Sequence, residues 1–239
     1  MEHDYKVTIL NPEEAKQLFP MWGEFTAVCY DTTSENYAPT GRGCMYSGHY
    51  SGSRWRYIAM RIDNCPRFII DQLVRHEQGV VKNVQSFRYV DKDRFSYAIP
   101  EEIKKNESLL EEYVIHMRDT AKLYDKIQNY VYNKTKSHER SNEQARYVLP
   151  MATESSVCIA MTVEALIHFC NMRLCVRTED KHRKLAEAIR EAVIEVVPEL
   201  ANRLVPNCEA NLWCPEGKHS CGRYPTKAEL KKKLEDNNQ

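Results

Sequence analysis

The stretch RHEQGVVKNVQSFRY, at residues 75–89, decides how the rest of the sequence is interpreted, because it gathers polar and charged side chains that a protein core has no reason to collect. Just upstream, Asn64 and Pro66 predict the cap and the first turn of a helix, and Gly79 predicts its end. The segment therefore reads as a helix that leads into a polar loop.

Three side chains at the C-terminal end of this helix are predicted to lie together. Gln72, Arg75 and His76 have i, i+3 and i+4 spacing, which places them on one helical face. An arginine suits the negative end of the helix dipole, and its planar guanidinium suits an anion. The pattern favours a phosphate or carboxylate site, and a solvated helix end followed by a polar loop is the alternative.

Composition restricts the kind of ligand. The 239 residues suffice for one substantial α/β domain or two small ones. The chain has 34 basic and 34 acidic residues, so it has no long-range field to attract a nucleic acid polymer or an anionic membrane. We therefore expect a small-molecule ligand at a local anion site.

Compartment is predicted from the N-terminus and the cysteines. The opening MEHDYKVTIL lacks the pattern of a signal peptide, and no apolar run approaches the length of a membrane span. The nine cysteines are odd in number and scattered, which is typical of free thiols in a reducing compartment. We expect a cytoplasmic protein.

Periodicity predicts the main elements. Alternation predicts strands at 5–10 and 156–162, and apolar and aromatic content predicts a strand at 54–62. Apolar spacing of three and four residues predicts helices. Gly, Ser, Thr and Tyr without periodicity predict a long surface loop at 31–48. The predicted helices begin at Asn11, run from an Asn106 cap to about Lys134, lie between an Asn142 cap and Pro150, cover Val163–Arg173, and run from Thr178 to Pro198.

The central stretch resembles the signature of the flavin-dependent thymidylate synthases, an Arg-His-Arg followed by a short loop and Ser-x-Arg-Tyr, with a Gln three residues before the first Arg. Three further segments match that family in order. They are Gly48-His49 with Ser51, Ala145-Arg146-x-Val148-Leu149-Pro150, and Asn171-x-Arg173-Leu174-Cys175. The resemblance covers the chain from about residue 49 to residue 223, where a cysteine-containing tail at 206–239 resembles some clostridial-type members.

The resemblance implies reductive methylation of dUMP to dTMP. Methylenetetrahydrofolate would supply the carbon, and FAD reduced by NADPH would supply the hydride. It also implies one domain over residues 1–239, an α/β (α+β) fold with a mixed, largely antiparallel sheet and flanking long helices, and a homotetramer with shared active sites. None of the nine cysteines has the Pro-Cys-His setting of the other kind of thymidylate synthase.

The resemblance also implies residue roles. The implied catalytic residues are Arg173 and Ser86. The implied substrate-binding residues are Gln72, Arg75, Gln85, Ser86, Phe87, Arg88, Arg146 and Arg173. The implied cofactor-binding residues are His49, Ser51, Arg75, His76, Glu77, Asn83, His168, Met172 and Arg177. Physical chemistry supports forked arginines for a phosphate and a cation, Arg173, against the uracil carbonyl edge. A serine without a positioned base is a poor nucleophile, which favours ligand binding for Ser86.

Departures from the family pattern leave two alternatives open. Glu77 replaces the second arginine of the motif, the loop to Ser86 is one residue longer, and Arg54 stands where the family usually has a glutamate. The chain could act on another pyrimidine nucleotide, or it could bind nucleotides without a flavin. In the tail, three cysteines with His219 lack a paired C-x-x-C hook, so we expect structural thiols and no metal.

Overall fold

The computed structural model describes residues 5–93 and 95–236, so the two ends of the predicted 1–239 domain and the last three residues of the predicted tail lie outside it. In chain order the elements are β1 Lys6–Ile9, α1 Pro12–Lys16, α2 Leu18–Val28, α3 Ala38–Tyr46, β2 Tyr57–Pro66, α4 Arg67–Leu73, β3 Val80–Val84, α5 Glu101–Lys104, α6 Glu107–Thr135, α7 His138–Ala145, β4 Glu154–Thr162, α8 Val163–Arg173, α9 Asp180–Val196, α10 Asn207–Asn211 and α11 Lys227–Asp236. Short 3-10 helices lie at Ser51–Trp55, Arg146–Val148, Pro198–Asn202 and Gly217–His219.

The strands form one four-stranded antiparallel sheet in the order β1-β2-β4-β3. Its register is fixed by backbone bonds such as Gln85 N to Ser156 O, at 2.9 Å, and Thr162 N to Gly79 O, at 2.8 Å. In β4 the side chains of Val157, Ile159 and Met161 are buried while those between them are half-buried. The predicted antiparallel-type sheet with long flanking helices is confirmed.

The chain divides into two compact units. The first unit comprises Met1–Lys6, Ile62–Arg75 and Lys82–Cys158, and the second comprises Val7–Arg61, His76–Val81 and Ile159–Gln239. The chain passes from one unit to the other within each of the strands β1 to β4. The single domain implied by the resemblance remains a prediction.

The first unit is built on α6, a helix that the sequence predicts well. The Asn106 side chain accepts a hydrogen bond from Leu109 N at 3.1 Å, which confirms it as the N-cap. Tyr124 is fully buried and its hydroxyl accepts from Lys92 N, whereas Tyr130 is 61% exposed. The apolar stripe of α6 is thus only partly used for packing within the chain.

The second unit corrects the predicted loop at 31–48, because residues 38–46 form helix α3. The two glycines at the α2–α3 contact explain the difference. A Cβ on Gly41 would lie 2.1 Å from Phe19 O, and a Cβ on Gly23 would lie 1.9 Å from Tyr37 O. Glycine at these positions allows the two helix backbones to touch. In the sequence, the same glycines give this segment the composition of a loop.

Several predicted boundaries are wrong. Helix α4 ends at Leu73, so Arg75 and His76 lie beyond it and do not share a helical face with Gln72. Asn64 lies in β2 with φ of 61°, and Pro66 precedes the helix. Helix α7 is capped by Ser137, whose side chain accepts from Arg140 N, so that Asn142 is interior to it.

Smaller differences occur elsewhere. The predicted strand at 54–62 begins at Tyr57, and α9 begins at Asp180, two residues after the predicted Thr178. The Asn11 side chain does not cap α1 but bonds to the backbone of Tyr57 and Ala59. No helix in the part of the chain that the structure describes has the length and apolarity to cross a membrane.

Candidate functional site

A cavity of about 490 Å³ lies in the first unit, beside the loop that follows β3. It is lined in part by Arg67, Gln85, Ser86, Phe87, Arg146 and Tyr147. The loop turns at Ser86, whose backbone oxygen accepts from Tyr89 N and Val90 N at 3.2 Å each. Gln85, Ser86, Phe87 and Arg146, all predicted substrate residues, are therefore brought to one cavity.

Two arginines give this cavity its charge. Arg146 is exposed, and its guanidinium has no hydrogen-bond or ion-pair partner among the residues described. Arg67 is held by Asp71, with Nε 3.2 Å from Oδ1, and its guanidinium carbon lies 5.9 Å from the Phe87 ring centroid. Two guanidinium groups and a serine hydroxyl suit an anionic ligand such as a phosphate monoester.

The Phe87 ring is also approached by a second cation. Lys92 Nζ lies 5.0 Å from the ring centroid and donates to Glu154 O at 3.2 Å. Burial lowers the pKa of Lys92, and the negative charge of Glu154 opposes that shift. Cations over a ring are attracted to its π face, so Arg67 and Lys92 together fix the orientation of Phe87 at the cavity.

The other predicted substrate residues of the first unit are placed differently. The Arg88 guanidinium pairs with Glu139, with Nη2 2.6 Å from Oε1, and its Nε lies 3.4 Å from a Glu143 oxygen. That Nε is buried without a properly directed hydrogen bond among the described groups. Arg75 is exposed in the turn after α4, and Gln72 is half-buried near the end of that helix.

A second cavity, of about 680 Å³, lies within the second unit. Its wall includes Tyr50, Arg54, Gln78, Glu164, His168 and Asn171. His168 is a predicted cofactor residue, and His49, Ser51 and Glu77 adjoin lining residues in the chain. The Oδ1 atom of Asn171 is buried and has no hydrogen-bond partner in the described part of the chain. A buried acceptor without a donor is costly, so this atom is suited to a ligand N–H.

Arg54 and Glu164 form an ion pair in this wall. Arg54 Nε donates to Glu164 Oε2 at 2.6 Å, and Nη2 donates to Oε1 at 3.2 Å. The hydrogen bond from Arg54 lowers the pKa of the Glu164 carboxyl, which keeps the pair ionised at neutral pH.

Arg173 meets His76 in the same unit. Arg173 Nε lies 3.3 Å from His76 Nε2, and because a guanidinium can only donate, His76 Nε2 accepts and its proton resides on Nδ1. The His76 ring packs edge-on against Phe169, with centroids 5.2 Å apart. Burial lowers the pKa of Arg173, yet a guanidinium remains charged at neutral pH.

His182 lies behind this group and is fully buried. Its ring centroid is 5.9 Å from that of Phe169. Burial first, and then the positive charges of Arg173 and of His76 in its protonated form, lower the pKa of His182 to about 3. His182 is consequently neutral at neutral pH.

The remaining predicted cofactor residues of this unit, Met172 and Arg177, line a small cavity of about 150 Å³ with the tail. Arg177 Nε lies 3.2 Å from Glu216 Oε2. Four thiols also line it: Cys175, Cys208, Cys214 and Cys221. All nine cysteines are free, and among the described residues no group of His, Cys, Asp or Glu is arranged to hold a metal ion.

The predicted substrate residues and the predicted cofactor residues fall largely in different compact units. Apart from Arg173, every predicted substrate residue belongs to the first unit, and apart from Arg75 and Asn83, every predicted cofactor residue belongs to the second. Sequence reasoning did not assign Arg67 or Asn171 to a site. Asn171 stands inside a matched segment, which was an available signal, whereas Arg67 follows Pro66 in an otherwise ordinary helix start.

Comparison with solved structures establishes the class of fold. The chain resembles the crystal structure of a UMP/dUMP methylase from Streptomyces cacaoi, with a TM-score of 0.58 over 87% of this chain and 95% of that one. The sequences are 16% identical, so the likeness concerns the fold. The chain is thus a mixed α/β protein with the fold of that methylase.

Sequence comparison gives the family. The family described as thymidylate synthase complementing protein (Thy1) matches residues 19–199. A flavin-dependent thymidylate synthase of Nitratidesulfovibrio vulgaris is 34% identical over 77% of this chain and 75% of its own length. One of Clostridium tetani is 35% identical over 79% and 77%. The chain belongs to the flavin-dependent thymidylate synthase family, which confirms the family predicted from its motifs.

Proposed function

We propose that this protein is a flavin-dependent thymidylate synthase that methylates dUMP to dTMP, taking the carbon from methylenetetrahydrofolate and the hydride from FAD reduced by NADPH. The observation that carries the proposal is the cavity of the first unit, where the motif residues Gln85, Ser86, Phe87 and Arg146 converge. Family membership and the relatives' names support the same reaction.

The cavity is suited to the phosphate of dUMP. That group carries close to two negative charges at neutral pH, and Arg146 and Arg67 present two guanidinium groups to it. The Ser86 hydroxyl accepts from Arg88 N at 3.3 Å, and no His, Lys, Asp or Glu side chain within the described ranges hydrogen-bonds to it. Without a base, Ser86 serves as a phosphate ligand.

Arg173 is proposed to stabilise negative charge that develops on a uracil carbonyl oxygen. A fixed cation in a partly buried environment does this without solvent reorganisation. Neutral His76, which accepts from Arg173, adds no competing positive charge. The pair thus carries a single positive charge, on Arg173, and the hydrogen bond to His76 orients that guanidinium.

The cavity of the second unit offers groups that a flavin ring could bind. The buried Asn171 Oδ1 offers an acceptor for a ring N–H, and His168 offers a ring nitrogen. Bound FAD would supply hydride chemistry that no side chain has. We propose His168 and Asn171 as flavin ligands in this cavity. The other residues that the resemblance implies for the flavin remain candidates without an assigned place: His49, Ser51, His76, Glu77, Asn83, Arg75, Met172 and Arg177.

The test is a visible spectrum of the purified protein with FAD, followed by titration with dUMP. We expect a bound-flavin spectrum that dUMP perturbs, because the hydride donor and the pyrimidine must meet during the reaction. A folded protein that binds dUMP but takes up no FAD at saturation would refute the flavoenzyme and leave the nucleotide-binding alternative.

A second substrate remains a candidate because the structural relative is described as acting on both UMP and dUMP. Phe87, fixed between Arg67 and Lys92, lines the cavity where nucleotide selectivity would arise. Competition among dUMP, UMP and dCMP for one site decides the question. If UMP or dCMP binds more tightly than dUMP, the proposed function changes from thymidylate synthesis to alkylation of the preferred nucleotide.

We also propose a cytoplasmic homotetramer. On α6, apolar side chains stay exposed in the single chain, among them Leu109, Ile115, Leu123 and Tyr130, each at least 44% accessible. A subunit contact would cover them.

A further inference from the structure

The Arg54–Glu164 pair joins two segments that are 110 residues apart. Arg54 lies in the 3-10 helix Ser51–Trp55, and Glu164 lies in the first turn of α8. Two N–H···O bonds, of 2.6 and 3.2 Å, make this the two-point contact that an arginine and a carboxylate form best. A two-point contact fixes the relative orientation of the two side chains as well as the distance between them.

The position of the pair links it to the proposed flavin cavity. Both side chains line that cavity. Glu164 and His168 are four residues apart on α8 and therefore share a helical face. On the other side, the 3-10 helix begins at Ser51 and follows His49, both candidate flavin residues. The pair thus fastens together the two segments that carry these candidates.

Because both side chains are exposed, the pair is expected to contribute little to the stability of the fold. The side chains of Arg54 and Glu164 are 63% and 41% accessible, and exposed ion pairs contribute little to stability. Its effect is therefore expected in the shape of the cavity wall.

A pair whose task is to hold two segments together works with either charge on either side, because the attraction between the two groups is the same.

We propose that Arg54 and Glu164 are positioning residues for the flavin, and that their ion pair holds the 3-10 helix Ser51–Trp55 against the start of α8 in the cavity wall. This inference rests on the proposed function. It predicts that reversing both charges preserves flavin binding, whereas reversing either one alone does not.

The test is a double-mutant cycle of Arg54→Glu, Glu164→Arg and the combined swap, with FAD affinity and the visible flavin spectrum as readouts. Each single reversal places like charges in contact and should weaken FAD binding about tenfold or more, whereas the swap should return it to within about threefold of wild type. Melting temperatures should change little in all three variants.

A control is Arg42→Glu, which breaks the Arg42–Glu199 pair in the same unit. These two side chains lie 3.7 Å apart, are 37% and 38% accessible, and do not line the cavity. It should leave FAD binding unchanged. A swap no better than the worse single variant, or single reversals that bind FAD like wild type, would overturn the inference.

Failure of the proposed function is distinguishable from failure of the pair. If the wild type binds no FAD, the proposed function fails and the flavin-positioning role fails with it. Amide hydrogen exchange of residues 51–55 in the ligand-free protein still shows whether the Arg54–Glu164 pair holds the 3-10 helix in place. Exchange that quickens in both single variants and slows again in the swap supports coupling, and equal exchange in all variants refutes it.

Discussion

Arg146 is the residue on which substrate affinity should depend most. Its guanidinium lines the cavity and has no partner within the described residues, so nothing but a ligand uses it. Arg146→Gln should weaken dUMP binding by about 2–4 kcal/mol, roughly 30- to 1,000-fold, with an unchanged melting temperature. Calorimetric titration measures this.

Two comparisons control the Arg146 experiment. Deoxyuridine lacks the phosphate, so its binding should be the same in wild type and variant. Arg118→Gln, an exposed arginine on α6 of the same unit, should leave dUMP binding intact. Equal loss of affinity for deoxyuridine and dUMP would contradict a phosphate role.

His182 should make the fold sensitive to acid. Its pKa is about 3 in the folded protein and 6.5 as an ordinary histidine, so between these values the unfolded chain binds a proton that the folded chain does not. Stability should therefore fall as the pH drops from 6.5 towards 3, by about 1.4 kcal/mol per unit from this residue.

The comparison is denaturant unfolding of wild type and His182→Gln between about pH 7 and pH 4.5, with exposed His116→Gln as control. We expect His182→Gln to be less stable at neutral pH but to lose less on acidification. An identical pH slope in both proteins would show that His182 already carries a proton when folded.

Among single residues, those that belong to a recognisable motif could be predicted from the sequence. Gln85, Ser86, Phe87 and Arg146 come from two matched segments and share one cavity. Arg67 was missed because a single arginine at a helix start has no local signal, and only the fold brings it to Phe87. The Arg54–Glu164 pair was missed for the same reason, since sequence separation hides it.

Among the elements, the α2–α3 contact gives the sharpest stability test. Gly41→Ala would place a Cβ 2.1 Å from Phe19 O, which the helices can accommodate only by separating. We expect a loss of about 1–3 kcal/mol in the free energy of unfolding. Thermal or chemical denaturation measures it.

The control lies two residues away in the same helix. A Cβ on Gly43 would meet nothing within 4 Å, so Gly43→Ala should raise stability by about 0.5–1 kcal/mol through helix propensity. If both substitutions changed stability by the same amount and sign, backbone contact between α2 and α3 would not be the reason for Gly41.

Elements with a clear apolar period were predicted well, as α6, α8 and β4 show. Helix α3 was not, because its glycines serve close packing and give the composition of a loop. Helix α4 is shorter than predicted because the chain turns after Leu73, where Arg75 N bonds to Gln72 O at 3.3 Å. Such a turn is set by tertiary packing that periodicity does not contain.

For the whole molecule, the proposed tetramer is tested by light scattering after size-exclusion chromatography. We expect a particle of four 28.0 kDa chains. Replacing Leu123 and Tyr130 on α6 by Gln should shift it towards smaller species, because the apolar area that the contact would bury is reduced. A wild-type monomer at micromolar concentration would remove the tetramer from the proposal.

The most direct test of the central claim is formation of dTMP by the purified protein supplied with dUMP, methylenetetrahydrofolate, FAD and NADPH, followed by chromatography. We expect dTMP that requires every component and that is lost in Arg173→Ala. A folded protein that binds FAD and dUMP but forms no dTMP with all components present would contradict the proposed reaction.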